Sequence, residues 1–204
     1  MTKKTIITIS RQFGSGGRDV GKKLADALGI KYYDRELIEM AAKESGFDKE
    51  MFEDTTANTS RLFRFINTFG YSLGAPLSVM NDITMSDQIF LIQSRVVEQA
   101  ADSGPCVIVG RCADYVLDNR EDVLKVFIAG DMEDRKKRAI QYYEVDERDV
   151  ESSIRKIDRN RKEYYDYYTD KKWGAAESYD VCLNTSVFGI DGCVAILKQL
   201  LEQE

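Results

Sequence analysis

The chain has 204 residues, 43% of them apolar, enough for one α/β domain with a substantial core and room for a small insert. A formal charge of −6 disfavours general nucleic-acid binding. No apolar run is long enough to cross a membrane, and MTKKTIITIS lacks the apolar region and cleavage site of a signal peptide, so the expectation is a cytoplasmic protein. The chain has no histidine, which excludes Ser-His-Asp triads and histidine acid–base or zinc chemistry, but leaves phosphoryl transfer, which rests on positioning and charge neutralisation.

Residues 5–10 (TIITIS) are β-branched and apolar and predict a buried strand. A glycine-rich stretch follows, then Val20, Leu24, Ala25, Ala27 and Leu28 recur at helical spacing up to a cap at Gly29. Residues 30–33 predict a second strand and 35–44 a second helix. The stretch 48–85 mixes Phe and Met with Asn, Thr, Ser and Gly, and predicts an insert of short helices and loops. A long helix is predicted over 86–102, strands over 106–109 (CVIV) and 123–129 (VLKVFIA), and a charged helix over MEDRKKRAIQYY. Asp146 is the predicted N-cap of a helix running to Tyr168. A last strand over 179–183 and a last helix over 190–202 complete the pattern. Strands alternating with helices predict a parallel sheet covered on both faces. The cysteines Cys106, Cys112, Cys182 and Cys193 form no CxxC pair and read as reduced, mostly buried thiols.

Three groups of residues carry chemistry. Gly14, Ser15, Gly16 and Gly17 lie between the first strand and a helix start, where backbone N–H groups and the helix dipole favour an anion. Such a loop serves either as a phosphate cradle or as a plain β–α turn. Against the consensus GxxxxGK[ST], with Gly17 as the second glycine, Gln12 stands at the first glycine, Arg18 at the lysine and Asp19 at the Ser/Thr. Asp19 there either ligates Mg²⁺ or repels phosphate. Asp34, Gly110-Arg111, Asp114 and Asp131 follow strand ends and are expected at the same sheet edge. On the helix after Asp146, Arg155 and Arg159 share a face at i,i+4, with Asp158 and Arg161 adjoining. They fit either a lid that brings arginines over a transferred phosphoryl group or a solvated, ion-paired surface. The run Tyr164-Tyr165-Asp166-Tyr167-Tyr168 suits base stacking, lid packing or a subunit contact, which leaves a homo-oligomer open.

The segments ISRQFGSGGRDVGKKLADALGIKYYDRELI, VIVGRCADYVL, VLKVFIAGDMEDRKKRA, DRNRKEYY and YDVCLNTS…GIDGCV together resemble the cytidylate kinase-like family over nearly the whole chain. The resemblance implies a P-loop NTPase-type three-layer α/β sandwich with a parallel five-stranded sheet. It implies a core (1–47, 86–145, 174–204), a helical acceptor-binding insert (about 48–85) and a helical lid (about 146–173). It implies ATP and Mg²⁺ as cofactors, nucleotides as small-molecule partners, and CMP or dCMP as the acceptor of the γ-phosphate. Gly14 to Asp19 would hold the donor phosphates, with Asp19 at the metal, and Arg18, Arg155, Arg159 and Arg161 would neutralise charge. Asp34, Arg111, Asp114, Asp158 and Arg161 would meet the acceptor; Asp158 and Arg161 match the family's Asp-x-x-Arg, and Arg135 and Arg138 match charged positions after the fourth strand. Cys112 stands where the family has Asp after Gly-Arg, and Ile154 where a further nucleotide-binding arginine is expected. The alternatives are a kinase for another small acceptor and a non-catalytic nucleotide-binding module.

Overall fold

The computed structural model describes residues 3–53 and 84–202. Strand β1 (Ile6–Arg11) is followed by helix α1 (Gly17–Leu28), β2 (Lys31–Tyr33), α2 (Glu36–Ser45) and α3 (Lys49–Glu53). Then come α4 (Met85–Asp102), β3 (Cys106–Val109), the short α5 (Ala113–Val116), β4 (Val123–Ala129) and α6 (Met132–Tyr143). Helix α7 (Val150–Tyr168), β5 (Val181–Asn184) and α8 (Thr185–Glu202) close the chain. The insert expected over 48–85 lies largely outside the described residues.

The five strands are parallel in the order β2-β3-β1-β4-β5. Strand β1 is central because it can be buried on both faces: Ile6, Ile7 and Ile9 are all at most 1% exposed. Alternation along it splits the core into two layers. Ile6 joins Ile108, Leu37, Phe52, Ile89 and Val97 on one side. Ile7 and Ile9 join Val107 of β3, Val20 and Leu24 of α1 and Leu197 of α8 on the other. A third, smaller cluster of Ala139, Val150 and Ile154 fastens α6 to α7. This is the three-layer α/β arrangement that the sequence predicts.

Local chemistry sets the boundaries. Gly29 takes the left-handed conformation (φ 66) that ends α1, and its N–H donates to the carbonyls of Ala25 and Asp26. Helix α4 opens on a capping box between Thr84 and Asp87.

Three boundaries differ from expectation by more than one residue. Asp146 accepts the Arg148 N–H at 2.9 Å in a local turn, so α7 begins at Val150 instead of directly after it. The Asp180 carboxylate accepts the Lys125 N–H at 2.8 Å, which holds the chain as it enters the sheet and delays β5 to Val181. The last helix begins at Thr185 and is broken at Gly189 (φ 67, ψ 172), so only its second segment matches the predicted 190–202.

Ile9→Ala would remove a fully buried side chain at the sheet centre. The expected loss is about 2–5 kcal/mol in a denaturant melt with an unchanged m-value.

Candidate functional site

A cavity of about 390 Å³ opens at the carboxyl end of β1, between the glycine loop, α2 and the segment after β3. Its wall carries five arginines (Arg11, Arg18, Arg35, Arg111 and Arg161) and one carboxylate, Asp34. Gly14, Gly16 and Gly17 form the loop side; Phe13, Ile38 and Tyr143 supply the apolar part.

The loop is pinned from several directions. Asp158 accepts the Phe13 N–H at 2.7 Å and pairs with Arg135, whose Nε donates to the Phe13 carbonyl at 2.8 Å. The Ser15 hydroxyl donates to the Gln12 carbonyl at 2.9 Å, and the Thr185 hydroxyl lies 2.7 Å from the Ser15 carbonyl. Gln12 Oε1 accepts the Gly130 N–H at 3.1 Å. Gly14 and Gly16 are left-handed (φ 76 and 77), as an anion-binding loop requires. A Cβ on Gly14 would lie 2.6 Å from the Arg135 carbonyl oxygen, so the loop is pressed against the backbone of α6.

The arginines differ in how they are held. Arg18 faces Asp34 with Nε 2.8 Å from Oδ2 and Nη2 3.3 Å from Oδ1. The Nε–H is poorly aligned for a hydrogen bond, so the pair is held chiefly by charge. Arg111 Nη1 donates to the Phe52 carbonyl at 2.8 Å. Gly110, Arg111 and Cys112 all have positive φ (80, 60 and 52). For the two non-glycine residues that conformation costs about 1–2 kcal/mol each. Arg111 lines the cavity from this left-handed turn.

Arg161 Nη1 donates to the Arg11 carbonyl at 3.1 Å, its guanidinium lies 5.7 Å from the centre of the Phe13 ring, and its Nε is buried without a partner. Burial first, then the neighbouring Arg11, pushes Arg161 down to about 9. Both arginines remain cations at neutral pH, at a cost that an anion in the cavity would relieve.

The structure brings Gly14, Gly16, Gly17, Arg18, Asp34, Arg111 and Arg161 to one cavity. Ser15 is buried behind the loop. Other residues named from the sequence sit elsewhere. Arg155 is 62% exposed and paired with Glu151 at 2.7 Å, and Arg159 is exposed too; both lie on the outer face of α7, away from the cavity. Ile154 is fully buried in the α6–α7 contact and is a core residue. Asp19 lies in the first turn of α1 paired with Arg138, off the cavity wall. Asp158 has both oxygens engaged by the loop and Arg135.

Asp114 is 1% exposed and sits beneath the floor of the site. It accepts from the Tyr165 hydroxyl at 2.6 Å and from the Ser10 hydroxyl at 3.4 Å. Burial raises it above the usual carboxylate range, with the Tyr165 hydrogen bond acting against that rise.

Arg11, Arg35, Phe13 and Tyr143 were not legible as cavity residues. For Arg11 one signal existed: it is the only charged residue of an otherwise apolar or hydroxyl-bearing strand.

A sequence model described as the cytidylate kinase-like family matches residues 6–187. The chain belongs to the cytidylate kinase-like family. A cytidylate kinase from Pyrococcus horikoshii is 26% identical over 204 residues, covering 98% of this chain and 89% of the relative. The crystal structure of an uncharacterized protein from Eubacterium ventriosum is 26% identical with a TM-score of 0.72, covering 98% of this chain and all of that one. A shikimate kinase from Bacteroides thetaiotaomicron (12% identical, TM-score 0.55, 97% and 98% covered) and a gluconokinase from Sinorhizobium meliloti (16%, 0.53, 98% and 95%) share the fold alone. With the parallel five-stranded sheet, these likenesses establish the α/β P-loop kinase fold. Membership of this kinase-like family supports a phosphotransferase of nucleotide-binding P-loop character. Among the described residues no helix is long and apolar enough to cross a membrane.

Two predictions follow from the packing around the loop. Gly14→Ala would force a Cβ onto the Arg135 carbonyl and strain a left-handed residue; a lowered Tm together with weakened anion binding is expected. Asp114 keeps its proton in the fold at a pH where the unfolded chain has lost it. Its contribution is therefore full below the ordinary aspartate value of 3.8 and is lost as pH rises through the raised value. The Tm difference between Asp114→Asn and the parent chain should shift in favour of the variant from acid pH towards neutrality. A difference that stays flat with pH counts against a raised carboxyl.

Proposed function

We propose that this chain transfers the γ-phosphoryl group of ATP to a nucleoside monophosphate, with CMP or dCMP the first acceptor to test. The observation that carries this reading is the charge of the cavity: five guanidinium groups and one carboxylate beside a glycine loop at a helix N-terminus. Only a polyanion, or two anions together, balances that wall. Family membership and the cytidylate kinase relative support the acceptor class.

The chemistry suits a chain without histidine. A non-bridging oxygen of the acceptor phosphate forms a bond to Pγ as the bond from Pγ to the β-phosphate oxygen breaks, and the electron pair leaves on ADP. The attacking oxygen is already anionic at neutral pH, so no general base is needed. Rate then depends on alignment and on the cations that meet the spreading charge. In this reading the N–H groups of Gly14, Gly16 and Gly17 meet the donor phosphates. Arg161 and Arg111 act from the cavity wall, and Asp34 orients the acceptor. Arg161 reaches the cavity without any movement of α7.

Mg²⁺, when bound, would neutralise charge on the donor phosphates, and sites of this kind offer it one or two carboxylates. Asp34 and Asp19 are of that donor type, and each would have to leave an arginine to serve it, Asp34 from Arg18 and Asp19 from Arg138.

One observation favours a different small acceptor. Asp158, which the family pattern assigns to the cytosine nucleotide, has both oxygens occupied in holding the loop. The deciding experiment measures ADP release from Mg-ATP across nucleoside monophosphates and small hydroxyl acceptors. Stimulation by CMP or dCMP is expected, with Arg161→Ala lowering kcat/KM about 10²–10³-fold. Stimulation only by a non-nucleotide would overturn the acceptor assignment. ATP binding without turnover on any acceptor would overturn the transfer reading and leave a nucleotide-binding module.

A further inference from the structure

The loop contains no lysine, and its two adjacent glycines allow two registers of the pattern Gly-x-x-x-x-Gly-Lys-Ser/Thr. Backbone conformation separates them. Gly16 is the left-handed residue (φ 77) that precedes α1, where a side chain is strained. Gly17 is the first helical residue, a conformation that any residue adopts. Gly16 is therefore the glycine that the turn requires. In that register Arg11 stands at the first glycine, Gly17 at the lysine and Arg18 at the Ser/Thr.

If the backbone does not demand glycine at position 17, something else must exclude a side chain. The neighbour that excludes it is Arg11. A Cβ on Gly17 would lie 2.6 Å from Arg11 Cβ and 3.1 Å from its Cγ, with Ile128 next at 3.3 Å. At the other end of the same side chain, a Cβ on Gly110 would fall on Arg11 Nη1. The stem of Arg11 thus crosses the bare face of Gly17, and its guanidinium rests against the bare face of Gly110. Arg11 is half-buried, and it lines the cavity. Among the described residues it has no hydrogen-bond or ion-pair partner for that guanidinium. Asp34, the nearest source of opposite charge, is already held by Arg18. Burial pushes Arg11 down to about 10, and Arg18 and Arg111 add to the fall. An unpartnered, half-buried cation lining a cavity is a group waiting for an anion.

We propose that Arg11 is the phosphate-binding cation of this loop, taking from the strand side the place that lysine takes from the helix side in the standard pattern. This rests on the donor-phosphate reading above and deepens it. Relative to the standard pattern the charge stands at position 11 in place of position 17, and glycine at 17 leaves the space that the longer side chain crosses. The guanidinium also presents two donors where an ammonium presents a point charge, so it can bridge oxygens of neighbouring phosphates.

The test is a swap. Three variants are compared with the parent chain: Arg11→Ala, Gly17→Lys, and the double variant Arg11→Gly with Gly17→Lys. Affinity for tripolyphosphate and for ATP is measured by calorimetry, and Tm is measured without ligand. Arg11→Ala should weaken tripolyphosphate about 10- to 100-fold. It should leave Tm unchanged or raised, because an unpartnered cation has been removed from beside Arg18 and Arg111; an arginine with a merely structural role would lower it. Gly17→Lys alone should lower Tm, since the new Cβ meets the Arg11 stem. The double variant should regain Tm and bind tripolyphosphate within about tenfold of the parent chain. The proposal is overturned if Arg11→Ala binds tripolyphosphate like the parent, or if the double variant binds no better than Gly17→Lys. If the parent chain itself binds no polyphosphate, the donor-phosphate reading and this proposal fall together. If it binds and Arg11→Ala does not matter, only this proposal falls.

Discussion

Mutual repulsion and desolvation of enclosed guanidinium groups is the constraint around which this molecule is organised. Arg11, Arg111 and Arg161 are all held below the usual guanidinium range by burial, and Arg11 and Arg161 are lowered further by each other or by neighbouring arginines. With Arg18 and Arg35 they share a wall that carries a single carboxylate, Asp34, which Arg18 already holds. No fold gains stability from that arrangement by itself, because the buried cations give up water and receive little charge in return. The stability must come from elsewhere. The two apolar layers on either side of β1 supply it, built from residues such as Ile9, Leu24 and Leu197 that are fully buried. The cavity is a concentration of unfavourable charge carried by a favourable core, and an anion converts its cost into binding energy.

Holding that charge in place demands a rigid loop, and the loop obtains its rigidity from other polar contacts. Asp158 and Arg135 take both the N–H and the carbonyl of Phe13. Gln12 reaches across to Gly130, and Thr185 reaches Ser15 from the start of α8. The loop is therefore held by Gly130 after β4 and by α6, α7 and α8 at once, without a ligand to order it. Preorganisation of this kind lowers the cost of binding a flexible polyphosphate, because the protein side has already been ordered.

Much of the fold was legible because burial dictates composition. CVIV and VLKVFIA are apolar without alternation, as strands covered on both faces must be, and β3 and β4 have the expected boundaries. The misplaced boundaries are sites where local hydrogen bonding competed with propensity, as at Asp146 and Asp180. On α7 the face could have been read from spacing alone. Ile154, Asp158, Arg161 and Tyr165 follow one another at intervals of four, three and four, which is one stripe of a helix. Ile154 and Tyr165 are buried, so Asp158 and Arg161 are carried inward with them. Arg155 and Arg159 each stand one residue beyond that stripe and face outward. Charge alone made the four residues look alike, but their positions relative to Ile154 divide them.

Arg11 shows the opposite case, in which no local pattern suffices. Its meaning depends on Gly17, six positions later, and on Gly110 at the end of a strand paired beside its own. Neither glycine is informative alone, since a β–α loop and a strand end both accept glycine for ordinary reasons. Only the sheet order, which sets β3 directly against β1, brings Gly110 under the guanidinium. A glycine motif read as a string assigns the positive charge to whichever basic residue follows the last glycine, here Arg18. Read as a volume, the same motif asks which side chain occupies the space that the glycines leave empty. In this chain that side chain belongs to the strand before the loop, and Arg18 is left to hold Asp34.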